Sequence, residues 1–147
     1  MAIVSYGQES ETKNEKVKKS DNEWKELLTP MQFHVLRESG TESPFTGEFE
    51  NTFNPGEYLC VGCDNYLFSS DKKYHSGCGW PSFSDAEAKE NITLLIDKSH
   101  GMVRTEVRCA KCDGHLGHLF NDGPPPTNIR YCINSASLKF VPDSGKK

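Results

Sequence analysis

The sequence contains no long hydrophobic run and no cluster of basic residues. None of its apolar stretches approaches the roughly 20 residues that a membrane-spanning helix needs. Its lysines and arginines are scattered and the formal net charge is -4, so neither a nucleic acid nor a membrane is expected as the principal partner. The apolar residues 1–4 are too few for a signal peptide, and the acidic residues that follow argue against a transit peptide. These features predict a cytoplasmic protein.

The chain also shows no internal repeat beyond two paired cysteine motifs. Its 147 residues suffice for one domain with a core that needs no disulfides. Residues 1–20 are polar and charged, with almost nothing to bury, so we expect a disordered tail there. The folded domain is expected at residues 21–142, followed by a flexible C-terminal tail at residues 143–147.

Two short helices are predicted at the start of this domain. Asp21 is the expected N-cap of the first helix. Thr29, with Pro30 at the first helical position and Gln32 three residues after the cap, is typical of a capping box. Gly40 is expected to end the second helix. Apolar residues recur at helical spacing, so both helices are expected to pack on the core.

After residue 40 the pattern changes to short segments separated by Gly, Pro and Asn. Apolar and polar residues alternate over 92–96 and again over 103–107, with a turn at 98–101, which predicts an antiparallel hairpin. Further short strands are expected from residue 58, over 116–120 and over 129–140. The fold is therefore predicted to be mostly antiparallel β with a helical N-terminal cap.

Two Cys-x-x-Cys motifs are the strongest signal in the chain. Cys60 and Cys63 form one pair, and Cys109 and Cys112 form the other. Each pair places two thiolates on one tight turn, and two such turns complete a closed four-sulfur zinc site. A redox-active pair usually needs a helix N-terminus in a βαβ unit, which neither motif has. Structural zinc is therefore the favoured interpretation, with redox thiols and iron as alternatives.

A further cysteine, Cys132, is the candidate nucleophile. Arg130 and Asn134 lie two residues to either side, so all three side chains project from one face of an extended strand. A cation and an amide donor beside a sulfur favour the thiolate and lower the cysteine pKa from about 8.5 toward neutrality. On these residues alone, an ordinary buried thiol is an equally good interpretation.

Two glycine-bracketed segments carry the other reactive side chains. Cys78 and Trp80 lie in residues 76–83, where flexible glycines and a stiff proline can present both side chains from a loop. His115, His118 and Asp122 lie in residues 114–123. A saturated four-sulfur site leaves these histidines free for proton transfer or hydrogen bonding to a substrate.

Together these motifs closely resemble those of the B-type peptide-methionine sulfoxide reductases. The resemblance covers about residues 22 to 141 and rests on SGCGWPSF (76–83), GHLGH (114–118), DGP (122–124) and RYCIN (130–134), in the same order as in the family. Residues 40–47, GTESPFTG, also resemble the family's approach to its first zinc turn. The motifs are long and jointly specific.

The resemblance implies an enzyme that reduces the R epimer of methionine sulfoxide in oxidised proteins, with thioredoxin as reductant. It implies one structural zinc, held by the four paired cysteines. It further implies two small antiparallel sheets that form an open, barrel-like β domain clamped by zinc. A monomer is expected, with no nucleic-acid or membrane partner.

The family pattern also assigns a role to each candidate residue. Cys132 would attack the sulfoxide sulfur, His118 would protonate its oxygen, and Cys78 would resolve the resulting sulfenic acid as a disulfide. Trp80 would hold the S-methyl group against its ring. The remaining residues, which would position the oxygen or lower the pKa of Cys132, are His115, Asn134, Asp122 and Arg130.

A ligand-binding or protein-interaction module is the alternative from another functional class. A zinc-clamped β domain with an aromatic-lined pocket could serve either purpose. The discriminating feature is Cys132, since a binding module needs no activated thiol beside arginine and histidine. The presence of every expected site residue favours the enzyme.

Overall fold

The computed structural model describes residues 16–86 and 88–143. Two α-helices, α1 (Asp21–Leu27) and α2 (Pro30–Glu38), precede all of the strands. The strands are β1 (Gly56–Cys60), β2 (Tyr66–Ser69), β3 (Lys73–Tyr74), β4 (Ser82–Phe83), β5 (Ile92–Asp97), β6 (Arg104–Cys109), β7 (His115–Phe120), β8 (Arg130–Ile133) and β9 (Leu138–Pro142). Short 3-10 turns lie at Ser70–Lys72, Lys89–Asn91, Ser99–Gly101 and Ser135–Ser137.

The helix boundaries follow the capping chemistry, with two corrections. Ser20, not Asp21, is the N-cap of α1, because its hydroxyl accepts from Glu23 N–H while the Glu23 carboxylate accepts from Ser20 N–H. The predicted capping box of Thr29 at the start of α2 is confirmed. That helix ends at Glu38, before Gly40, because Ser39 takes the left-handed conformation as its C-cap.

The strands form two open antiparallel sheets, which confirms the predicted fold class. The small sheet has the order β2-β1-β9 and the large sheet the order β3-β4-β8-β7-β6-β5; neither closes into a barrel. The predicted hairpin is confirmed as β5 and β6, paired from Ile92 opposite Cys109 to Asp97 opposite Arg104. The segment 129–140, expected to supply short strands, contains β8 and most of β9; the turn at Ser135–Ser137 separates them, and they enter different sheets.

A cluster of buried aromatic rings holds the two sheets together. The Phe68 ring of the small sheet stacks on Phe83 of the large sheet, with 4.4 Å between ring centroids. Tyr58 meets Phe83 edge-on at 5.3 Å, and Tyr131 lies 5.4 Å from Phe68. Because Phe83 and Tyr131 are opposite each other in β4 and β8, the cluster also fixes these two strands, and β8 carries Cys132.

The outer part of the β5–β6 hairpin is less buried than its alternating sequence suggests. Ile92 and Val107 are buried, but Leu94 and Ile96 are 48% and 65% exposed. Among the described residues β5 is the edge strand of the large sheet, so core contacts reach only its inner end. Alternation therefore predicted the strand correctly but not the extent of its burial.

The chain ends are described only in part. Residues 1–15 of the expected tail and residues 144–147 lie outside the described residues. Within residues 16–20, Val17 N–H donates to the Lys111 carbonyl at 2.7 Å, and Lys16 pairs with Asp113 at 2.9 Å. The domain boundaries stay a prediction. In the described residues, every helix is too short and too polar to cross a membrane.

Candidate functional site

The four paired cysteines converge on one point between the two sheets. Cys60 ends β1 and Cys109 ends β6, and each begins a tight turn that carries the second cysteine of its pair. All four sulfur atoms lie within 4.8 Å of one another, with 3.6 Å between Cys60 and Cys112 and 3.5 Å between Cys63 and Cys109. A tetrahedron with metal–sulfur bonds of about 2.3 Å has edges of about 3.8 Å. The cysteines are therefore positioned to bind a metal ion such as zinc.

The two cysteine turns also pack against the N-terminal helices. A Cβ atom at Gly62 would come within 2.7 Å of Leu36 Cδ2, and one at Gly114 within 2.6 Å of Leu36 Cγ. Arg37 donates to the Cys112 carbonyl at 2.8 Å. A metal bound here joins the small sheet, the large sheet and the helical cap, so we assign it a structural position.

A second cluster of sulfur chemistry lies on β8. Cys132 is directly opposite Ser82 of β4, and the loop before β4 brings Cys78 to 3.7 Å from it, measured between the sulfur atoms. Gly77 and Gly79 have φ of 79° and 100°, so both positions need glycine to turn the loop. The geometry places the two thiols as neighbours, as the sequence motifs predicted.

Cys132 opens into a cavity of about 100 Å³. The cavity brings together four of the residues chosen from the sequence: Trp80, His118, Cys132 and Asn134. Its remaining lining residues are Thr41, Arg104, Gly117 and Phe120. The cavity is thus bounded by a thiol, an imidazole, a cation and two aromatic rings, which suits a small group with one apolar end and one polar atom.

Trp80 is held from outside the cavity. Its indole N–H donates to the Glu42 carbonyl at 3.0 Å. The Glu42 carboxylate in turn accepts the backbone N–H groups of Ser135 and Ala136 at 2.8 Å, and the Glu42 N–H donates to Asn134. These hydrogen bonds join the segment before β1 to the end of β8. They therefore fix the position of Trp80 relative to Asn134, and both residues line the cavity.

The two histidines occupy different positions. His118 lies opposite Cys132 in the β7–β8 pair, and its Nε2 is 2.8 Å from Asp97. His115 is only 3% exposed and does not line the cavity; its Nδ1 is 2.7 Å from Glu106, and its ring centroid is 5.4 Å from that of His118. Only His118 is placed to exchange a proton directly with a bound molecule.

Arg130 and Asp122 form an ion pair beside a second, wider cleft. Arg130 donates to both carboxylate oxygens of Asp122, at 2.8 and 3.2 Å, and stacks on the Phe120 ring. The cleft has a volume of about 340 Å³, and Cys78 lines it together with this pair. The two thiols therefore face different openings, Cys132 the small cavity and Cys78 the wide cleft.

Comparisons with known proteins agree with this geometry. The SelR domain family matches residues 28–142. A protein named peptide methionine sulfoxide reductase MsrB from Bradyrhizobium diazoefficiens is 55% identical over 90% of this chain and 96% of its own length. The proteins of the same name from Agrobacterium fabrum and Hahella chejuensis are 55% and 60% identical, over 90% and 86% of this chain and 98% and 91% of their own lengths. The chain belongs to the B-type methionine sulfoxide reductase family.

Among solved structures, the crystal structure of a Mis18 'Yippee-like' domain matches 60% of this chain and 96% of that chain. Its sequence identity is 18% and the TM-score is 0.48.

The ionisation of the thiol pair in this family member differs from the expectation. Burial raises the pKa of Cys132 to about 12, and the neighbouring Cys78 adds to the rise, while Arg130 lowers it too little to compensate. Although burial opposes it, hydrogen bonds from Ser76 and Ser82 lower the pKa of Cys78. The predicted thiolate on Cys132 is therefore wrong for the substrate-free protein, because the sequence does not reveal how deeply the sulfur is buried.

Asn134 lines the cavity with Cys132, but its polar atoms have backbone partners. Its side-chain amide donates to the Leu116 carbonyl at 3.0 Å and its oxygen accepts from Glu42 N–H, so its polar atoms are engaged by the backbone. Sequence reasoning about this B-type reductase also missed Asp97 and Glu106, the carboxylates that contact the two histidines. Their position in the predicted hairpin was the one available signal.

Proposed function

We propose that this protein reduces the R epimer of methionine sulfoxide in oxidised proteins, with Cys132 as the nucleophile. The observation that carries the proposal is the placement of the Cys132 thiol in a small cavity beside Trp80 and His118, with a second thiol 3.7 Å away. This arrangement provides an attacking atom, an apolar surface and a proton donor for one small polar group. Family membership supports the same activity.

In the first step, Cys132 Sγ attacks the sulfoxide sulfur and forms a transient S–S bond. The oxygen then moves to Cys132 Sγ, and both the S–S bond and the original S–O bond of the sulfoxide break. The thiol and the sulfoxide become a sulfenic acid on Cys132 and a free methionine side chain, so the sulfoxide is reduced and Cys132 is oxidised. His118 gives a proton to the sulfoxide oxygen, which makes the sulfur electrophilic. That proton comes from the Cys132 thiol by way of His118, so the ring ends the step in the form in which it began.

In the second step, the Cys78 thiol condenses with the sulfenic acid to form a disulfide and release water. The sulfurs must approach from 3.7 Å to a bond length of about 2.05 Å. The loop with Gly77 and Gly79 can supply this movement, since a Cβ atom at Gly77 would meet nothing within 4 Å.

A thiol reductant then restores the pair, and we assign this role to thioredoxin. The wide cleft beside Cys78 supports the assignment, because thiol–disulfide exchange requires access to one sulfur of the disulfide. Attack at Cys78 would release Cys132 as the leaving thiol. The protein would act as a monomer in the cytoplasm, where free thiols persist.

We assign the four-cysteine cluster to a single zinc ion that clamps the sheets. Four thiolates saturate a tetrahedral ion and leave no position for a substrate or water. The clamp keeps β6, and with it the strands β7 and β8, in place behind the cavity.

The other site residues are assigned supporting roles. Trp80 supplies the ring face for the S-methyl group, and Asn134 and His115 hold the backbone and the His118 ring that surround the oxygen. Arg130, paired with Asp122, lowers the pKa of Cys132 partway against burial.

The test follows methionine release from a peptide that carries either the R or the S sulfoxide. With dithiothreitol, wild type should convert the R peptide only, and Cys132→Ser should release none while it keeps its fold. Without reductant, Cys78→Ser should release about one methionine per chain, because the first step does not need Cys78. Turnover by Cys132→Ser, or wild-type conversion of the S peptide at the rate of the R peptide, would reject the proposal.

A further inference from the structure

Asp97 binds four hydrogen-bond donors at once. Its Oδ1 accepts from the backbone N–H of Ser99 at 2.9 Å and from the Ser99 hydroxyl at 2.7 Å. Its Oδ2 faces His118 Nε2 at 2.8 Å and the Arg104 guanidinium at 3.4 Å. An ionised carboxylate offers about four acceptor positions, so these donors use the full capacity of the group.

The hairpin holds this carboxylate independently of His118. Asp97 and Arg104 are the last pair of β5 and β6, and Ser99 lies in the short turn that follows. Both Ser99 bonds are local to the turn, so the carboxylate is oriented by its own hairpin and presents Oδ2 to the neighbouring strand β7. The side chain is only 19% exposed, which limits competition from water.

This contact determines which nitrogen of His118 carries the proton. A carboxylate with no proton of its own only accepts, so Nε2 must donate to it. Nδ1 is then the nitrogen left for the cavity, as an acceptor in the neutral ring and as a donor in the charged ring. The ring lies in the cavity opposite Cys132, whose Cβ atom in such a strand pair is about 4.5 to 5.5 Å from that of His118.

We propose that Asp97 is a positioning residue for the reduction, which holds His118 with Nδ1 free to carry the proton of the Cys132 thiol to the sulfoxide oxygen. The inference rests on the proposed function. The proton leaves Cys132 Sγ for Nδ1 as the sulfur attacks, and passes from Nδ1 to the oxygen. The oxygen then moves to Cys132 Sγ as its bond to the substrate sulfur and the transient S–S bond break. The sulfenic acid keeps that oxygen and that proton, so the relay ends with a neutral imidazole. Asp97 stabilises the imidazolium that exists between the two transfers.

The structure contains a second carboxylate–imidazole pair, but its imidazole does not line the cavity. Glu106 contacts His115 Nδ1 at 2.7 Å and also accepts from Arg108 at 3.0 Å. His115 is buried, and its Nε2 has no hydrogen-bond partner in the described residues. The pair is therefore assigned to the support of the sheet, and Asp97 is the carboxylate that acts through a cavity-lining ring.

The test compares Asp97→Asn with Asp85→Asn in the full chain. Asp85 is a matched control, because it also accepts a backbone N–H and pairs with a cation, Lys89, but lies outside the cavity. Methionine formation is measured in single turnovers without reductant, over a range of R-sulfoxide peptide concentrations. Asp97→Asn should lower the maximal rate about 100-fold, the scale of general acid–base catalysis, with an unchanged half-saturating concentration. Asp85→Asn should match wild type.

A second measurement needs no variant. Long-range ¹H–¹⁵N spectra of wild type identify which ring nitrogen of His118 is protonated when the ring is neutral. The inference requires the proton on Nε2; a proton on Nδ1 would overturn it, as would an Asp97→Asn maximal rate within about threefold of wild type. Failure of the proposed function looks different, because wild type itself would then release no methionine from the R peptide.

Discussion

Replacing Gly117 with alanine tests whether the spacing between β7 and β8 controls the reaction. Gly117 lines the cavity, precedes His118 and lies opposite Ile133 in the strand pair. A Cβ atom here would overlap the carbonyl oxygen of Cys132 and lie 2.9 Å from its carbonyl carbon and 3.0 Å from Ile133 Cα. These are backbone atoms, so relief requires the strands themselves to move.

The size of the effect follows from that overlap. Nonbonded carbon atoms rest about 3.5 to 4.0 Å apart, and the overlap with the carbonyl oxygen is more severe than either carbon contact, so the strands must separate by about 1 Å or more. Overpacking of this kind costs about 1 to 3 kcal/mol of stability, and each kcal/mol lowers the Tm of a domain of this size by about 2 to 4 °C. A misplacement of about 1 Å at reacting groups can lower a rate about 100-fold. Gly117→Ala should therefore lower the rate about 100-fold while the domain still folds, with a Tm about 2 to 12 °C lower.

Single-turnover methionine formation and thermal unfolding, measured on the same samples, separate the two effects. Gly40→Ala is the matched control, because the three atoms nearest to its added Cβ all belong to the ring of His34, whose exposed side chain can turn away. We expect the control to retain the wild-type rate. A Gly117→Ala rate within about threefold of wild type would refute the reasoning, because the strand spacing would then not set the reaction geometry.

Three further outcomes are expected. Burial lowers the pKa of Lys73 from 10.5 to about 8, a difference worth up to about 3 kcal/mol, so Lys73→Met should be more stable in urea at pH 7, and the advantage should shrink as the pH rises from about 8 to 10.5. Equal stability at pH 7 would contradict this. Cys109→Ser should lose its metal by elemental analysis and unfold at a much lower temperature, whereas a full metal content would remove Cys109 from the cluster. At pH 7, iodoacetamide should modify Cys78 before Cys132 in peptide maps, because the pKa of Cys78 is lowered and that of Cys132 is raised to about 12; the reverse order would be inconsistent with these shifts.

Features encoded by local spacing could be predicted from the sequence. The cysteine turns, the capping box of Thr29 and the β5–β6 hairpin each depend on residues a few positions apart, and all three occur in the structure. Their two-residue spacing also placed Arg130 and Cys132 on one strand, whereas the approach of Cys78 to that strand was expected only from the family resemblance.

Features that depend on distant partners could not be predicted in this way. Asp97 and His118 are 21 positions apart, and their contact exists only because β6 lies between β5 and β7. The turn that separates β8 from β9 is held by the Glu42 carboxylate. This carboxylate accepts from the N–H groups of Ser135 and Ala136, so these two residues do not continue the strand. No local pattern contains either arrangement.

The ionisation of Cys132 shows why the distant partners matter to the chemistry. Arg130 is close to Cys132 in sequence and lowers its pKa, but Arg130 also pairs with Asp122. Burial raises the pKa of Cys132 by more than Arg130 lowers it. A thiol whose pKa burial raises to about 12 is protonated at pH 7, which slows a reaction that waits for free thiolate. A nearby base lowers that barrier, because the proton then transfers only as the sulfur attacks. In the proposed mechanism the sulfoxide oxygen accepts the same proton, so the substrate and His118 would together complete a transfer that neither permits alone.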